Sequence, residues 1–265
     1  MPSNINALNI DTSTPILFVP GAMSGSWIWE DNFAQHYRAM GFKVHCMTFS
    51  GHHLSFKERL KLRFNDYVDE CIEAIESFDK APTVIGHSLG GLASLHATAH
   101  AKAHALILMS PVPISGVVGS MSSLAKKSPI SLAKFITAAC YAGITRYGTP
   151  PIGIYSNTCD TADADKVTAQ LRSESIPVLM KLLSPPKLIS TKLHPSNILF
   201  LAAKGDHIIP HTEIQKSADQ LGADIKIYEG LSHTYQAESC WPDIADDILQ
   251  WLHQSNMKDY QASAA

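Results

Sequence analysis

The sequence predicts an α/β fold: a mostly parallel sheet with helices on both faces and a helical cap inserted into it. Three observations carry this. Short β-type runs alternate with longer runs of helical period, several of the β-type runs are apolar without a break, and one long stretch abandons the alternation. The chain has 265 residues, enough to bury a substantial core.

The predicted strands are Ile16–Pro20, Lys43–Met47, Thr83–Gly86, Ala105–Met109, Asn197–Ala202 and Ile225–Glu229. A short edge strand within "INALNI" would precede them. Between the first two, "WIWEDNFAQHYRAMG" reads as one helix closed by Gly41 as a C-cap. "DYVDECIEAIESF" places Val68, Ile72 and Ile75 on one face and acids on the other, as in a helix packed on a sheet. The last helical run, "WPDIADDILQWLHQ", repeats the pattern through Ile244, Ile248, Trp251 and Leu252, with fraying expected from Ser255.

Residues 112–196 contain no β-type run and are predicted to form a helical cap, with 1–111 and 197–265 as the core domain. Within this stretch Leu132, Phe135, Ile136, Ala139 and Cys140 recur at helical spacing. "DADKVTAQLR" and "SIPVLMKLL" follow, the second with Ser175 as N-cap and Pro177 in its first turn.

Composition narrows the function. A net charge of -3 and a charged fraction of 17% offer no basic surface for nucleic acid. The N-terminus lacks a basic segment followed by an apolar core, and no apolar run is long enough to span a bilayer, so a soluble, cytoplasmic protein is expected. The 5 cysteines include no CxxC pair, which points to free buried thiols rather than disulfides or a thiolate zinc site. No cofactor or metal is expected, and the oligomeric state is left open.

The chemistry concentrates in "TVIGHSLGGLA". Ser88 stands in a Gly-x-Ser-x-Gly turn between a predicted strand and a predicted helix, where a strained corner would expose its hydroxyl. Gly86 and Gly90 supply the small flanking residues that such a corner requires. An orienting acid belongs on a loop at the carboxyl end of a strand, and Asp206 lies just past "ILFLAA" in a Gly-Asp turn. Asp160, Asp163 and Asp165 are weaker candidates because they fall in the insertion.

Among 13 histidines, His233 follows the last predicted strand and precedes the terminal helix, which gives the chain order Ser88, Asp206, His233. His87 should point away from the substrate as the strand alternates. Oxyanion donors are expected from the amide of Leu89, which follows the nucleophile, and from Ala22 in the loop after the first strand, where Gly21 allows close approach.

With these parts in place the chain resembles the α/β-hydrolase superfamily, from the first strand to about Pro111 and again from Asn197 to His253. "FVPGAMSGSWIW" and "VIGHSLGG" look most like its compact esterase and hydroxynitrile lyase branch, whose first loop usually reads His-Gly-Ala-x-His-Gly-x-Trp. Pro20 and Ser24 replace the two histidines, which implies a different pocket. The lyases of the branch use a threonine and a lysine where Gly21 and Thr234 stand here, so the resemblance disfavours cyanohydrin cleavage. It implies a serine hydrolase, with small to medium carboxylic esters the first choice of substrate, and the Leu, Ile, Phe and Ala content of the cap points to an apolar acyl or alcohol group. Thioesters or lactones would use the same machinery, and a ligand-binding receptor, carbon-carbon bond hydrolysis or perhydrolysis would use the same fold.

Overall fold

A computed structural model describes residues 11–146, 148–188 and 190–264, with side chains left undescribed at 146 and 256–264. The edge strand expected in "INALNI" lies outside the described residues. Six parallel strands form one sheet in the order β2-β1-β3-β4-β5-β6. They are β1 (Ile16–Val19), β2 (Val44–Cys46), β3 (Thr83–His87), β4 (Ala105–Met109), β5 (Ile198–Ala203) and β6 (Asp224–Tyr228). All six predicted strands are present, each within about two residues of its expected limits.

The central strands are buried on both faces because consecutive side chains enter opposite layers. Leu17, Val19, Val84, Leu106 and Phe200 pack on one side with Phe64, Tyr67 and Leu92. Ile16, Phe18, Ile85, Ile107 and Leu201 pack on the other with Trp29, Phe33, Tyr37, Ile244 and Ile248. β1 pairs with β3 at Phe18↔Ile85 and with β2 at Phe18↔Cys46, so chain order reverses around β1. That reversal opens a crevice beyond the carboxyl ends of β1 and β3, the position where ligands collect in such sheets.

The first helical run departs from its prediction. Instead of one regular helix it consists of Trp27–Trp29, a π-turn at Glu30–Ala34 and Gln35–Ala39. Asn32 leaves helical geometry at φ -136 and ψ -109, and its side-chain amide donates to the carbonyl of Ile28 at 2.8 Å. Gly41 follows in the left-handed region, φ 95, as a terminator should. The helix Phe64–Glu76 buries Val68 and Ile75 as predicted. The terminal helix does not end at Ser255 but continues to Ala264. Ser255 is itself buried and donates its hydroxyl to the carbonyl of Ser196 at 2.9 Å, an anchor that a composition-based expectation of fraying overlooks.

Between β4 and β5 lie helices Val118–Lys127, Pro129–Cys140, Thr161–Gln170 and Ile176–Lys181, with no strand among the described residues. Ser175 caps the last of these, accepting from the amide of Val178, and Asp160 caps Thr161–Gln170 through the amide of Ala162 at 2.7 Å. Asp160 is thereby a helix cap. Ile136, predicted to share the apolar face, is half-exposed. All five thiols are free, but only Cys71 is fully buried.

Candidate active site

The site begins with the turn from β3 into the helix Ser88–Ala97. Ser88 holds φ 52, a conformation that costs a non-glycine residue about 1–2 kcal/mol. The surrounding glycines make it sterically feasible. A Cβ at Gly86 would lie 2.9 Å from the Gly90 carbonyl oxygen and 2.9 Å from the Gly91 Cα, and one at Gly90 would collide with the Pro20 carbonyl. A Cβ at Gly91 would press on Pro111 at 2.9 Å. These contacts leave the corner no room for side chains and hold Ser88 at the N-terminus of the helix, where backbone N–H groups are unpaired.

Asp206 and His233 arrive from loops that follow β5 and β6. Asp206 is buried, and its Oδ1 accepts from the amides of Ile208 and Ile209, both at 2.8 Å. Its other oxygen, Oδ2, is 2.7 Å from Nδ1 of His233, and Nε2 of His233 is 3.1 Å from Oγ of Ser88. A carboxylate only accepts, so Nδ1 of His233 carries the proton and Nε2 is free to accept from the serine hydroxyl. Residues separated by 145 and 27 positions in sequence thus form a continuous hydrogen-bonded chain.

His87 departs from its expected bystander role. Its ring centroid lies 4.8 Å from that of His233, and its Nε2 donates to the His233 carbonyl at 2.9 Å. Burial, then the nearby His233, depress its pKa to about 3, so it is neutral at ordinary pH. His87 also lines the cavity shared by Ser88 and His233, so strand alternation does not turn it away from the site.

The β1 loop passes close to the serine, as its glycine suggested. A Cβ at Gly21 would sit 2.8 Å from Nδ1 of His87 and 3.1 Å from Cβ of Ser88. Within this loop the amide of Ser24 turns back to the Gly21 carbonyl and that of Met23 is bonded to a carboxylate, whereas Ala22's amide has no partner among the described residues. Leu89 lies in the first turn of its helix, where amides have no intrahelical acceptor.

A cavity of about 480 Å³ opens above Ser88 and His233. Ala22, Met23 and Ile28 line its floor, and Ile130, Phe135, Ala138, Ile144, Val167 and Leu171, all from the segment between β4 and β5, line the opposite wall. Thr137, Thr145, Thr168 and Tyr155 supply scattered polar groups. Pockets of this size hold small molecules rather than macromolecular strands. The described residues contain no cluster of three or more His, Cys, Asp or Glu suited to a metal, and no helix among them is long and apolar enough to cross a membrane.

Sheet, crevice and hydrogen-bonded loops define an α/β hydrolase. A model of the alpha/beta hydrolase family matches residues 16–246, and the chain belongs to that family. No curated protein matches the sequence significantly. Among solved structures the fold is similar to that of polyneuridine aldehyde esterase, with 16% identity over 89% of this chain and 98% of that one and a TM-score of 0.63. It is also similar to a structure from a study of carboxylesterases of Nitrososphaera gargenis, with 17% identity, coverage of 93% and 92%, and a TM-score of 0.70. Tomato methylketone synthase I, complexed with 2-tridecanone, gives 16% identity, coverage of 91% and 98%, and a TM-score of 0.65. At these identities the likeness concerns the fold.

Proposed function

We propose that the protein hydrolyses carboxylic esters with an apolar acyl or alcohol group of small to medium size through an acyl-enzyme on Ser88. The observation that carries this reading is the chain Ser88 Oγ, His233 Nε2, His233 Nδ1, Asp206 Oδ2, at 3.1 and 2.7 Å, with Ser88 and His233 lining an apolar cavity. His233 takes the hydroxyl proton as Oγ attacks the carbonyl carbon, and Asp206 stabilises the imidazolium. The carbonyl oxygen becomes an oxyanion facing the amides of Ala22 and Leu89, and each such donor contributes about 3 kcal/mol of barrier lowering. The intermediate collapses as His233 returns the proton to the departing alcohol. Water, deprotonated by the same imidazole, then releases the acid and restores the serine.

In this reading residues 112–196 act as the cap, because their side chains form the cavity wall facing the serine. Apolar burial there favours chains of several carbons, at about 0.8 kcal/mol for each methylene. The test is fluorophosphonate labelling together with a panel of p-nitrophenyl esters of rising chain length. Labelling of Ser88 with ester turnover supports the reading. Folded protein that is not labelled removes Ser88 as nucleophile, and labelling without ester turnover redirects the site to other substrates or to ligand binding.

A further inference from the structure

We infer that Glu174 is a positioning residue for the oxyanion loop, clamping Met23 from the segment between β4 and β5. The inference rests on the reading of Ser88 and Ala22 above.

Glu174 is 2% exposed, a rare position for a carboxylate, and each of its oxygens is occupied by two donors. Oε1 accepts from the Tyr67 hydroxyl at 2.6 Å and from the Ser175 amide at 2.8 Å. Oε2 accepts from the Met23 amide at 3.1 Å and lies 3.2 Å from Nε2 of His52. Burial alone would raise its pKa, but the hydrogen bonds and charge interaction with His52, and the bonds from Tyr67 and Ser175, outweigh burial and hold it below the usual carboxylate range. The group is therefore an anion with its hydrogen-bonding capacity filled, and its partners other than the adjacent Ser175 come from three separate parts of the chain.

One partner lies beside the proposed chemistry. Met23 directly follows Ala22 and holds φ 66, a left-handed conformation unfavourable for a side chain of this kind. Both of its peptide groups are fixed by the same strap: Glu174 accepts from its N–H, and Arg172 donates its own N–H to the Met23 carbonyl at 2.8 Å. Those two bonds stabilise the left-handed turn. The turn in turn commits the Met23 amide away from Ser88 and leaves the Ala22 amide without a competing partner. Glu174 thus acts through Met23 on where Ala22 points and touches no reacting atom.

Glu174→Ala tests this. Water can enter the vacated space and satisfy the orphaned donors, but it cannot hold the loop rigidly. The expected result is a folded protein whose kcat on a p-nitrophenyl ester falls about 10- to 100-fold while KM changes by less than about threefold, since the interaction lost acts only on the transition state. An alkylboronic acid, whose tetrahedral adduct on Ser88 places an oxygen in the same position, should bind more weakly by about the factor that kcat loses. In a Met23→Gly background, where the left-handed turn carries no side-chain penalty, the Glu174→Ala effect should shrink at least threefold relative to Met23 protein.

Unchanged kcat in folded Glu174→Ala overturns the inference, as does a loss expressed in KM with boronate affinity intact. Should that variant not fold, Tyr67→Phe removes one donor from the same carboxylate and should lower kcat about three- to tenfold with KM unchanged; full activity there overturns the inference equally. Wild-type protein inert to both esters and fluorophosphonate would instead sink the Ser88 reading, before any Glu174 variant is compared.

Discussion

His87 donates its Nε2–H to the backbone carbonyl of His233 across 2.9 Å, so the residue before Ser88 supports the loop that carries His233. Nδ1 of His87 is buried with no partner among the described residues, and a second proton there would have no acceptor among them.

This arrangement predicts a pH dependence of stability. The folded pKa of about 3 lies below the unfolded value near 6.5, so between them the unfolded chain binds more protons. The contribution is fully present above about pH 6.5 and is lost progressively as pH falls toward 3. Urea titrations should show wild type losing roughly 1–2 kcal/mol more than His87→Gln between pH 6.5 and 5. Parallel losses in the two proteins would contradict a neutral buried His87.

Asp206→Asn should reduce kcat by about 10⁴-fold, because an asparagine can present its amide to Nδ1 and favour the tautomer that cannot accept the Ser88 proton. The fold should survive, since the asparagine oxygen can still accept from Ile208 and Ile209. Steady-state kinetics alongside circular dichroism check both statements. A drop below tenfold would remove Asp206 from the mechanism.

Ser88→Ala should abolish fluorophosphonate labelling and ester turnover while leaving stability within about 1 kcal/mol of wild type, since only a hydroxyl is removed. Global unfolding would assign Ser88 a structural role.

Gly21→Ala places a Cβ 2.8 Å from the His87 ring and 3.1 Å from Ser88. The loop must retreat by several tenths of an ångström, carrying Ala22 with it. We expect kcat to fall about 10²-fold with a small change in thermal midpoint. Gly90→Ala, whose Cβ would collide with backbone at Pro20, should destabilise the whole protein and lower expression.

Ala133 is exposed and lines the cavity, so Ala133→Trp can narrow it without disturbing the core. The ratio of kcat/KM for a hexanoate over an acetate ester should fall about tenfold, the equivalent of roughly two methylenes losing their contacts. An unchanged ratio would place the acyl chain elsewhere.

Much of this was legible in one dimension. The strands announced themselves because a strand buried on both faces needs an unbroken apolar run, and the Gly86-Ser88-Gly90 corner because no larger residue fits there. Chain order then selected Asp206 and His233 from many acids and histidines. Less was legible where side-chain partners are distant: the Asn32 amide in the π-turn at Glu30–Ala34 also donates to the Gln236 carbonyl at 3.3 Å, 204 residues away.

The sequence by itself determined the sheet, the Gly86-Ser88-Gly90 corner and the order of the candidate residues, all of which depend on local propensity and periodicity. Tertiary structure alone decided that His87 braces His233, that the segment between β4 and β5 walls the cavity, and that Glu174 reaches Met23 from 151 residues away. The physical reason is that a hydrogen-bond partner is chosen by proximity after the chain has folded, and residues 151 apart carry no periodic signature of their future contact.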